Sequence, residues 1–386
     1  MLVEIHVLQN HAPANLNRDE SGSPKDCMFG GVRRGRISSQ CQKRTIRCSP
    51  LFQDSIGESR LGMRTRKLPF LVKEELMRLG LSEELAKIGA RKASGLGNKD
   101  GKERDDEITA QAIFLTQEDV SVIARCLFRH LKDKTVKQAK AIKAQELQKD
   151  PELVGWRPVT VDVALFGRMT TSTAFNDVEA SVQVGHAIST HRVDSEFDYF
   201  TAVDDLMGDG DSGADMIGDT EFNSCCYYKY FNVDMDELKR NLAGPDRLKK
   251  LTAEERQDLA RDAAHIVKAF IESLVFCSPD GKQNSFAARQ LPSAVLVEVK
   301  KRKIPVSYAN AFVKPVTARG EMDLVQASVN AFLDHVKETE KCFGLTPNRR
   351  WLLLMGCESP KMTTDQVSTF PALVEELTAA LQQGEE

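Results

Sequence analysis

The stretch KDCMFGGVRRGRISSQCQKRTIR, residues 25–47, is the segment around which we interpret the rest of this chain. Its adjacent glycines, Gly30 and Gly31, permit a backbone turn that a side chain would hinder. Ser39 and Gln42 have the spacing of a capping box, which predicts that a helix begins near Ser39. The stretch therefore predicts a turn that is followed closely by a helix.

The predicted helix carries positive charge on one face. From Cys27 to Gln53 the chain has six basic residues and no Asp or Glu, whereas the 386 residues together have a formal net charge of −3. An amide and three cations fall at i, i+3, i+4 and i+7 of the helix, namely Gln40, Lys43, Arg44 and Arg47. Cations backed by Ser38 and free backbone N–H groups are typical of a surface that follows phosphates regardless of base sequence. A solvated charged face is the alternative.

Resemblance to a known family favours phosphate binding. The string NLNRDESGSPKDCMFGGVRRGRISSQCQKR, residues 15–44, resembles the CasC backbone subunit of type I-E CRISPR Cascade complexes. Three later segments resemble the same family in the same order: DVALFGRMTT at 162–171, GHAISTHRVDSEFDYFTAVDD at 185–205 and TEFNSCCYYKY at 220–230. These segments are distributed along residues 1–230, and the likeness is weaker afterwards.

The resemblance implies an α+β fold, in which an RRM-like (ferredoxin-like βαββαβ) palm carries an inserted helical finger domain and an inserted thumb hairpin. The implied domains are a palm at 1–67 and 159–310, a finger at 68–158, a thumb hairpin at 193–222 within the palm, and a C-terminal extension of helices and a strand at 311–386 packed on the palm.

The order of the predicted elements gives the same βαββαβ pattern. Alternating or apolar runs predict the strands. A second capping box, formed by Thr252 and Glu255, predicts where the second helix begins. In chain order the elements are Leu2–Gln9, Ser39–Cys48, Val182–Thr190, Asn223–Val233, Thr252–Phe276 and Ser293–Lys300. A further strand is predicted at Val159–Leu165, and one helix at Thr135–Lys149.

The resemblance also implies which residues hold a guide RNA. In the family, the lysine of the K-D loop contacts phosphate and the methionine of the G-R-M motif lies against the RNA bases. The predicted contacts are Arg18, Lys25, Arg33, Arg34, Ser38, Gln40, Lys43, Arg44, Arg47, Met169 and Lys282. Gap-filling in the core is the alternative for Met169.

The acidic stretch at residues 193–228 contains no Lys or Arg and cannot follow phosphates. Its tip, GDGDSGADMIGD at 208–219, presents Met216 and Ile217 as an apolar pair. The resemblance implies a thumb that reaches the neighbouring subunit and wedges these side chains where one base is flipped out. A solvated hairpin is the alternative. A calcium loop is disfavoured, because Ala214 and Thr220 replace the glycine and glutamate that it needs.

The function implied by the resemblance is that of a scaffold without catalytic residues, metal or cofactor, which polymerises along a CRISPR guide RNA. The implied partners are the guide RNA, the target DNA strand, further copies of the chain, and the other Cascade subunits: the large subunit, the small subunits, and those that bind the 5′ handle and the 3′ hairpin. A general single-stranded RNA chaperone also stays open.

An RNA endonuclease of the CRISPR-associated superfamily is the alternative from a different class. It would use Asp26, with His6, His11 or His186 assisting. The sequence has neither paired carboxylates nor a His pair in a tight motif to support such chemistry.

Cysteine usage and hydropathy indicate a cytoplasmic location. The nine cysteines include no C-x-x-C pair, so we predict reduced thiols. No apolar run approaches the roughly 20 residues that span a bilayer, and Met1–Asn10 lacks the basic start of a signal peptide. We therefore predict a soluble protein without membrane partners.

Overall fold

The computed structural model describes residues 1–104, 107–172, 174–202, 216–318, 320–358 and 366–383. The chain divides into two compact units. Unit 1 comprises Met1–Phe52, Gln183–Asp234 and Val267–Glu386, and unit 2 comprises Gln53–Val182 and Met235–Ile266. The palm, finger, thumb and C-terminal boundaries given above stay predictions.

The strands are β1 (Leu2–Ala14), β2 (Asp26–Phe29), β3 (Val32–Ile37), β4 (Met63–Thr65), β5 (Ile113–Leu115), β6 (Val182–Val184), β7 (Ala187–Ser189), β8 (Glu196–Ala202), β9 (Met216–Asp234), β10 (Ala294–Lys300), β11 (Arg349–Leu354) and β12 (Gln366–Val367).

The helices are α1 (Ser39–Arg47), α2 (Pro50–Ile56), α3 (Leu68–Arg78), α4 (Glu83–Leu96), α5 (Gln117–Leu131), α6 (Val136–Ala141), α7 (Ala144–Leu147), α8 (Pro151–Val154), α9 (Val161–Phe166), α10 (Met235–Ala243), α11 (Pro245–Leu248), α12 (Ala253–Phe276), α13 (Gln283–Phe286), α14 (Leu324–Phe343) and α15 (Phe370–Gln382). Short 3-10 helices span Glu58–Arg60 and Tyr308–Phe312.

The large sheet of unit 1 has the strand order β12-β11-β10-β1-β9-β7-β3-β2, and β6 and β8 also pair with β9. β1 lies between β10 and β9 and is antiparallel to both, with Ile5 opposite Val297 and Phe231. β7 is antiparallel to β9 on its other side. The four strands predicted from the sequence are therefore neighbours in the order fourth, first, third, second.

Both faces of β1 are buried, although the sequence predicts only one apolar face. Val3, Ile5 and Val7 alternate with Glu4 and His6, and all five are at most 1% exposed. Such burial of polar side chains requires hydrogen-bond partners. The alternation was therefore a correct strand signal, but it did not reveal the second covering layer.

That second layer contains a buried ionic network. Glu4 accepts a hydrogen bond from the Val306 backbone at 2.7 Å and pairs with the Lys300 ammonium. Glu298 pairs with Lys300 at 3.0 Å and accepts a hydrogen bond from Arg350 Nε at 2.8 Å. Although burial opposes it, these cations lower the pKa of Glu298. Mutual pairing is what makes such burial tolerable.

Unit 2 has its own apolar core, built largely by α3, α4 and α5. Residues from each helix are completely buried in one cluster, including Leu76, Ala93 and Leu127. β4 and β5 form a separate antiparallel pair in this unit. These three helices thus share one apolar core within unit 2.

The capping box of α12 is confirmed. Thr252 N donates to the Glu255 carboxylate at 2.8 Å, and Glu255 N donates to Thr252 Oγ1 at 3.2 Å. The helix that follows buries Ala263, Ile266 and Phe270, as its apolar stripe predicts.

Three predicted elements need correction. The run predicted as a strand at Val159–Leu165 is helix α9 from Val161 onward, because Val161 and Val163 are both buried together with the intervening Asp162. The helix predicted at Thr135–Lys149 is divided into α6 and α7, since Ile142 adopts an extended backbone. The strand predicted at Val182–Thr190 is interrupted between β6 and β7 at Gly185, whose N–H bonds to Tyr230 O at 2.9 Å.

Among the described residues, no helix combines the length and the apolar character needed to cross a membrane.

Candidate nucleic-acid interface

The glycine turn joins β2 to β3 in a two-residue hairpin. Phe29 pairs with Val32, which leaves Gly30 and Gly31 as the loop. Their φ angles are +61° and +78°. Hairpin turns with positive φ at both central residues strongly favour glycine. The predicted turn is confirmed, and it determines where the following arginines point.

Alanine at the two glycines should have different consequences. A Cβ at Gly30 would lie 1.8 Å from Val313 O, whereas a Cβ at Gly31 meets nothing within 4 Å. Gly31→Ala should therefore cost only the strain of positive φ, about 1 kcal/mol, and Gly30→Ala about 3 kcal/mol or more. Chemical denaturation of both variants measures this, and equal losses would contradict the predicted contact.

Arg34 is not an exposed cation, which corrects its prediction as an RNA contact. It is 0% exposed, and its guanidinium donates to backbone oxygens of Phe29 at 3.2 Å and Ser189 at 3.2 Å. It also donates to Phe312 at 2.7 Å and Val313 at 3.3 Å. Arg34 therefore joins the hairpin to two other segments of unit 1 and has no face for phosphate.

The loop before β2 is organised by its asparagine and aspartate side chains. Asn17 O accepts from Lys25 N at 2.8 Å, and Asn17 Oδ1 accepts from Ser38 N at 2.8 Å. Asp19 Oδ1 accepts from the hydroxyl and backbone N–H of Ser21, at 2.7 and 2.9 Å. Asn17 thus holds the K-D loop against the start of α1, and Lys25 and the helix share one region of the surface.

Helix α1 begins where the sequence predicts, but with a different cap. Ser38 Oγ accepts from Cys41 N at 3.2 Å, so Ser38 is the N-cap and not Ser39. Gln42 does not complete a capping box, because its amide donates to Gly185 O at 2.8 Å and the residue is 5% exposed. Ser38 is 6% exposed and uses its hydroxyl in the cap, which leaves it little surface for RNA.

The cationic face of α1 is partly open to solvent. Gln40 and Arg44 are exposed, and Lys43 and Arg47 are partly buried. Burial lowers the pKa of Lys43. Among the described residues, no carboxylate forms an ion pair with Lys43 or Arg44. A positively charged side chain without an acidic partner gains more from a phosphate than a paired one does.

Arg33 and Arg36 flank Asp26 at the edge of the same region. Arg33 Nε lies 3.2 Å from the Asp26 carboxylate, and Arg36 Nε donates to Asp26 O at 3.0 Å. Arg36 also lies 3.3 Å from His186 Nδ1. Burial and then the charges of Arg36 and Lys25 lower the pKa of His186, which favours its neutral form.

Two of the histidines named for the nuclease alternative cannot assist Asp26. His6 and His11 are 0% and 1% exposed. His6 Nδ1 lies 2.9 Å from the Tyr228 hydroxyl, and burial lowers the pKa of His6 to about 3. Both side chains belong to the packed interior.

Met169 lies in unit 2 and is 96% exposed, so the core-packing alternative is wrong. The turn that presents it is held by the buried Arg168, which donates to Asp119 Oδ2 at 2.8 Å and to Asn176 O at 3.0 Å. Arg157 binds the other oxygen of the same carboxylate at 2.7 Å. A rigid turn that exposes an apolar side chain is typical of a contact surface.

Arg18 and Lys282 have different settings in unit 1. Arg18 is exposed and forms an isolated bridge with Pro24. Lys282 is partly buried, and its ammonium lies 3.4 Å from Thr220 Oγ1 on β9. Lys282 therefore contacts the base of the β8–β9 hairpin, and its hydrogen bond is to that hairpin rather than to α1.

The predicted hairpin pairs from Glu196 opposite Phe222 to Ala202 opposite Met216. Large apolar side chains on it are exposed, among them Phe197 and Tyr199 at 65% each and Ile217 at 61%. The tip at residues 203–215 and the Met216 side chain lie outside the described part of the chain. Of the two residues predicted to form the thumb wedge, Met216 and Ile217, the structure therefore describes the side chain of Ile217 alone.

A second basic surface was missed from the sequence. Between residues 132 and 149 of unit 2, six exposed lysines outnumber the two acids, Asp133 and Glu146. These lysines are Lys132, Lys134, Lys137, Lys140, Lys143 and Lys149. Their spacing of about three residues is visible in the sequence. The prediction of a single helix at Thr135–Lys149 did not take this cluster of lysines into account.

Comparison with known proteins identifies the family to which this mixed α/β chain belongs. The chain matches the CT1975-like protein family, which carries the Cas label, over residues 3–377 and belongs to it. A comparison with curated protein sequences finds no match.

Solved structures agree with this membership. One similar chain comes from a structure described as a CRISPR RNA-guided surveillance complex, pre-nicking, with 26% identity and a TM-score of 0.77. The match covers 99% of this chain and 100% of that one. A second, from a CRISPR RNA-guided surveillance complex, has 23% identity and a TM-score of 0.67 over 98% and 100% of the two chains, and shows a shared fold.

Proposed function

We propose that this chain is a non-catalytic scaffold subunit of a CRISPR RNA-guided surveillance complex, and that its copies polymerise along the guide RNA. The observation that carries the proposal is the partly exposed cationic face of α1 beside the loop that ends at Lys25. Guide sequences differ, so a subunit that serves all of them must bind backbone and leave the Watson–Crick edges free.

The proposal includes two more specific statements. The first is that the chain is a type I-E CasC subunit, and the second is that it has an RRM-like palm. The motif resemblance at residues 15–44 supports the first. The antiparallel order β10-β1-β9-β7 supports the second, because it is the order of a split βαββαβ sheet. The base contacts of RNA-recognition motifs require exposed aromatic residues on the sheet, whereas Tyr228 and Phe231 are each 1% exposed. RNA is therefore held by α1 and the loops.

Binding of target DNA and of neighbouring subunits completes the proposed role. Exchange between a DNA duplex and an RNA–DNA hybrid is nearly balanced in free energy, so contacts to the backbone can favour it. The six exposed lysines at residues 132–149 offer such contacts to DNA phosphates. The exposed aromatic residues of the β8–β9 hairpin, Phe197 and Tyr199, suit a surface that docks on another copy or on bases.

The absence of catalysis is also part of the proposal. The Asp26 carboxylate is paired with Arg33, and His186 is held by Arg36. Among the described residues, Asp26 does not belong to any group of three or more His, Cys, Asp or Glu side chains whose ligand atoms converge. A metal-dependent nuclease would need several convergent oxygen ligands at this point.

Chemical probing of a guide RNA assembled with the purified chain tests this function. We expect reactive, unstacked bases at a regular interval on uncleaved RNA, and loss of that interval when residues 208–218 are deleted, with RNA still bound. The full-length chain is the control. Regular reactivity after the deletion would contradict the thumb, and RNA cleavage that Asp26→Ala removes would replace the scaffold with a nuclease.

A further inference from the structure

Three side chains with metal-binding atoms converge in unit 2. Cys126 and His130 lie on α5, and Asp150 is the N-cap of α8. The thiol, one imidazole nitrogen and one carboxylate oxygen all lie within 4.8 Å of one another. Residues four apart share one face of a helix, so α5 presents the thiol and the imidazole together.

We propose that Cys126, His130 and Asp150 bind one zinc ion, with water as the fourth ligand. Zinc takes thiolate, imidazole and carboxylate ligands in a tetrahedron with bonds of about 2.0–2.3 Å, which separates any two ligand atoms by roughly 3.5 Å. His130 Nε2 and Asp150 Oδ2 are 3.0 Å apart, and the widest separation in the cluster is under 4.8 Å. Small side-chain rotations therefore suffice to reach this geometry.

The choice of zinc follows from the donor set. A thiolate is a soft ligand that disfavours magnesium, calcium and manganese, whereas thiolate with imidazole suits zinc. The His130 side chain is 40% exposed, which gives an ion and a water molecule a route to the site. Cys126 itself is 0% exposed, so it cannot serve as a nucleophile toward a substrate.

In the absence of metal, hydrogen bonds from His130 and Arg129 to Asp150 hold the cluster together. Arg129 Nη2 donates to the two Asp150 oxygens at 3.0 and 2.8 Å. Although burial opposes it, hydrogen bonds from His130, the Glu152 backbone and Arg129 lower the pKa of Asp150 to about 2, so its carboxylate is charged. Arg129 is 56% exposed and also lies 3.2 Å from Glu152, which keeps it paired when zinc takes an Asp150 oxygen.

Coordination would displace the thiol proton. Burial, followed by the charge of Asp150, raises the pKa of Cys126 to about 12 in the absence of metal. A metal ion offsets that cost because thiolate is the binding form.

The position of the cluster suggests what the ion does. Cys126 and Asp150 enclose the segment that carries the six exposed lysines. A bond from α5 to the start of α8 would hold both ends of that segment. Zinc therefore stabilises the lysine-rich surface, and this holds whether or not the guide RNA function is correct.

Cobalt substitution in the full-length, chelator-treated protein tests the site. We expect one equivalent of Co²⁺ to give a thiolate-to-cobalt charge-transfer band that Zn²⁺ abolishes. The band should be absent in Cys126→Ser and should need at least tenfold more Co²⁺ in His130→Ala. Cys48→Ser removes an exposed thiol elsewhere and should leave the band unchanged.

A purely hydrogen-bonded cluster is the outcome that overturns the proposal. It would show as no band in the wild type, a band that persists in Cys126→Ser, or the same Co²⁺ requirement in His130→Ala. Because the His130 side chain is partly exposed, His130→Ala should stay folded and provides the test if Cys126→Ser does not fold.

Discussion

Replacing Lys43, Arg44 and Arg47 together with glutamine should weaken guide RNA binding by about a thousandfold. Each hydrogen bond between a charged side chain and phosphate contributes about 1.4 kcal/mol or more, so three contribute about 4 kcal/mol. The salt dependence should fall as well, because each single-strand phosphate contact contributes about 0.7 to the slope of log K against log salt. A titration of labelled guide RNA at several salt concentrations measures both effects.

A second triple variant with the same change in net charge distinguishes phosphate contacts made by α1 from the general electrostatic attraction between the protein and RNA. Arg78, Lys87 and Arg261 are exposed, and each is paired with an acid on its own helix. Glutamine at these three positions should change the slope by much less than at the α1 positions. Equal losses in the two triple variants would show that net charge alone binds RNA, and an unchanged slope in the α1 variant would exclude α1 from the interface.

Replacing Arg34 with methionine should lower the free energy of unfolding by about 3–5 kcal/mol. The side chain is completely buried and donates to backbone carbonyls of Phe29, Ser189, Phe312 and Val313. Methionine fills part of the space but leaves those oxygens without donors, and an unsatisfied buried acceptor costs about 1–3 kcal/mol. Denaturant titration followed by far-ultraviolet circular dichroism measures the loss.

The neighbouring Arg33 provides the matched control for this experiment. Its side chain is 59% exposed and its ion pair with Asp26 is open to solvent. Arg33→Met should therefore change the free energy of unfolding by less than about 0.5 kcal/mol. Similar losses for the two variants would show that the Arg34 hydrogen bonds contribute no net stability.

This pair shows how far the sequence predicts the interface. Arg33 and Arg34 are adjacent members of one basic run, and nothing in the run distinguishes them. In β3, successive side chains point to opposite faces of the sheet, so one arginine reaches solvent and the other enters the interior. Which face is covered depends on Ser189 and Phe312, which are far away in the sequence.

Elements with local signals were predicted well. The turn at Gly30, the helix that begins at Ser39, the capping box at Thr252 and the strand that ends at Lys300 all depend on residues within a few positions of each other. The run at Val159–Leu165 was predicted as a strand because Thr160 and Asp162 alternate with valines, whereas Asp162 is in fact buried within a helix. Burial on both faces of β1 concealed the roles of Glu4 and His6 in the same way.

The sequence by itself determined the cationic face of α1, the glycine hairpin before it, and the central set of strands and helices, because periodicity, turn chemistry and capping act over a few residues. Only the tertiary structure decided which cations are free for phosphate, that Met169 is exposed, and that Cys126, His130 and Asp150 meet. These features depend on contacts between residues distant in the chain, and burial there changes what a charged or polar side chain can do.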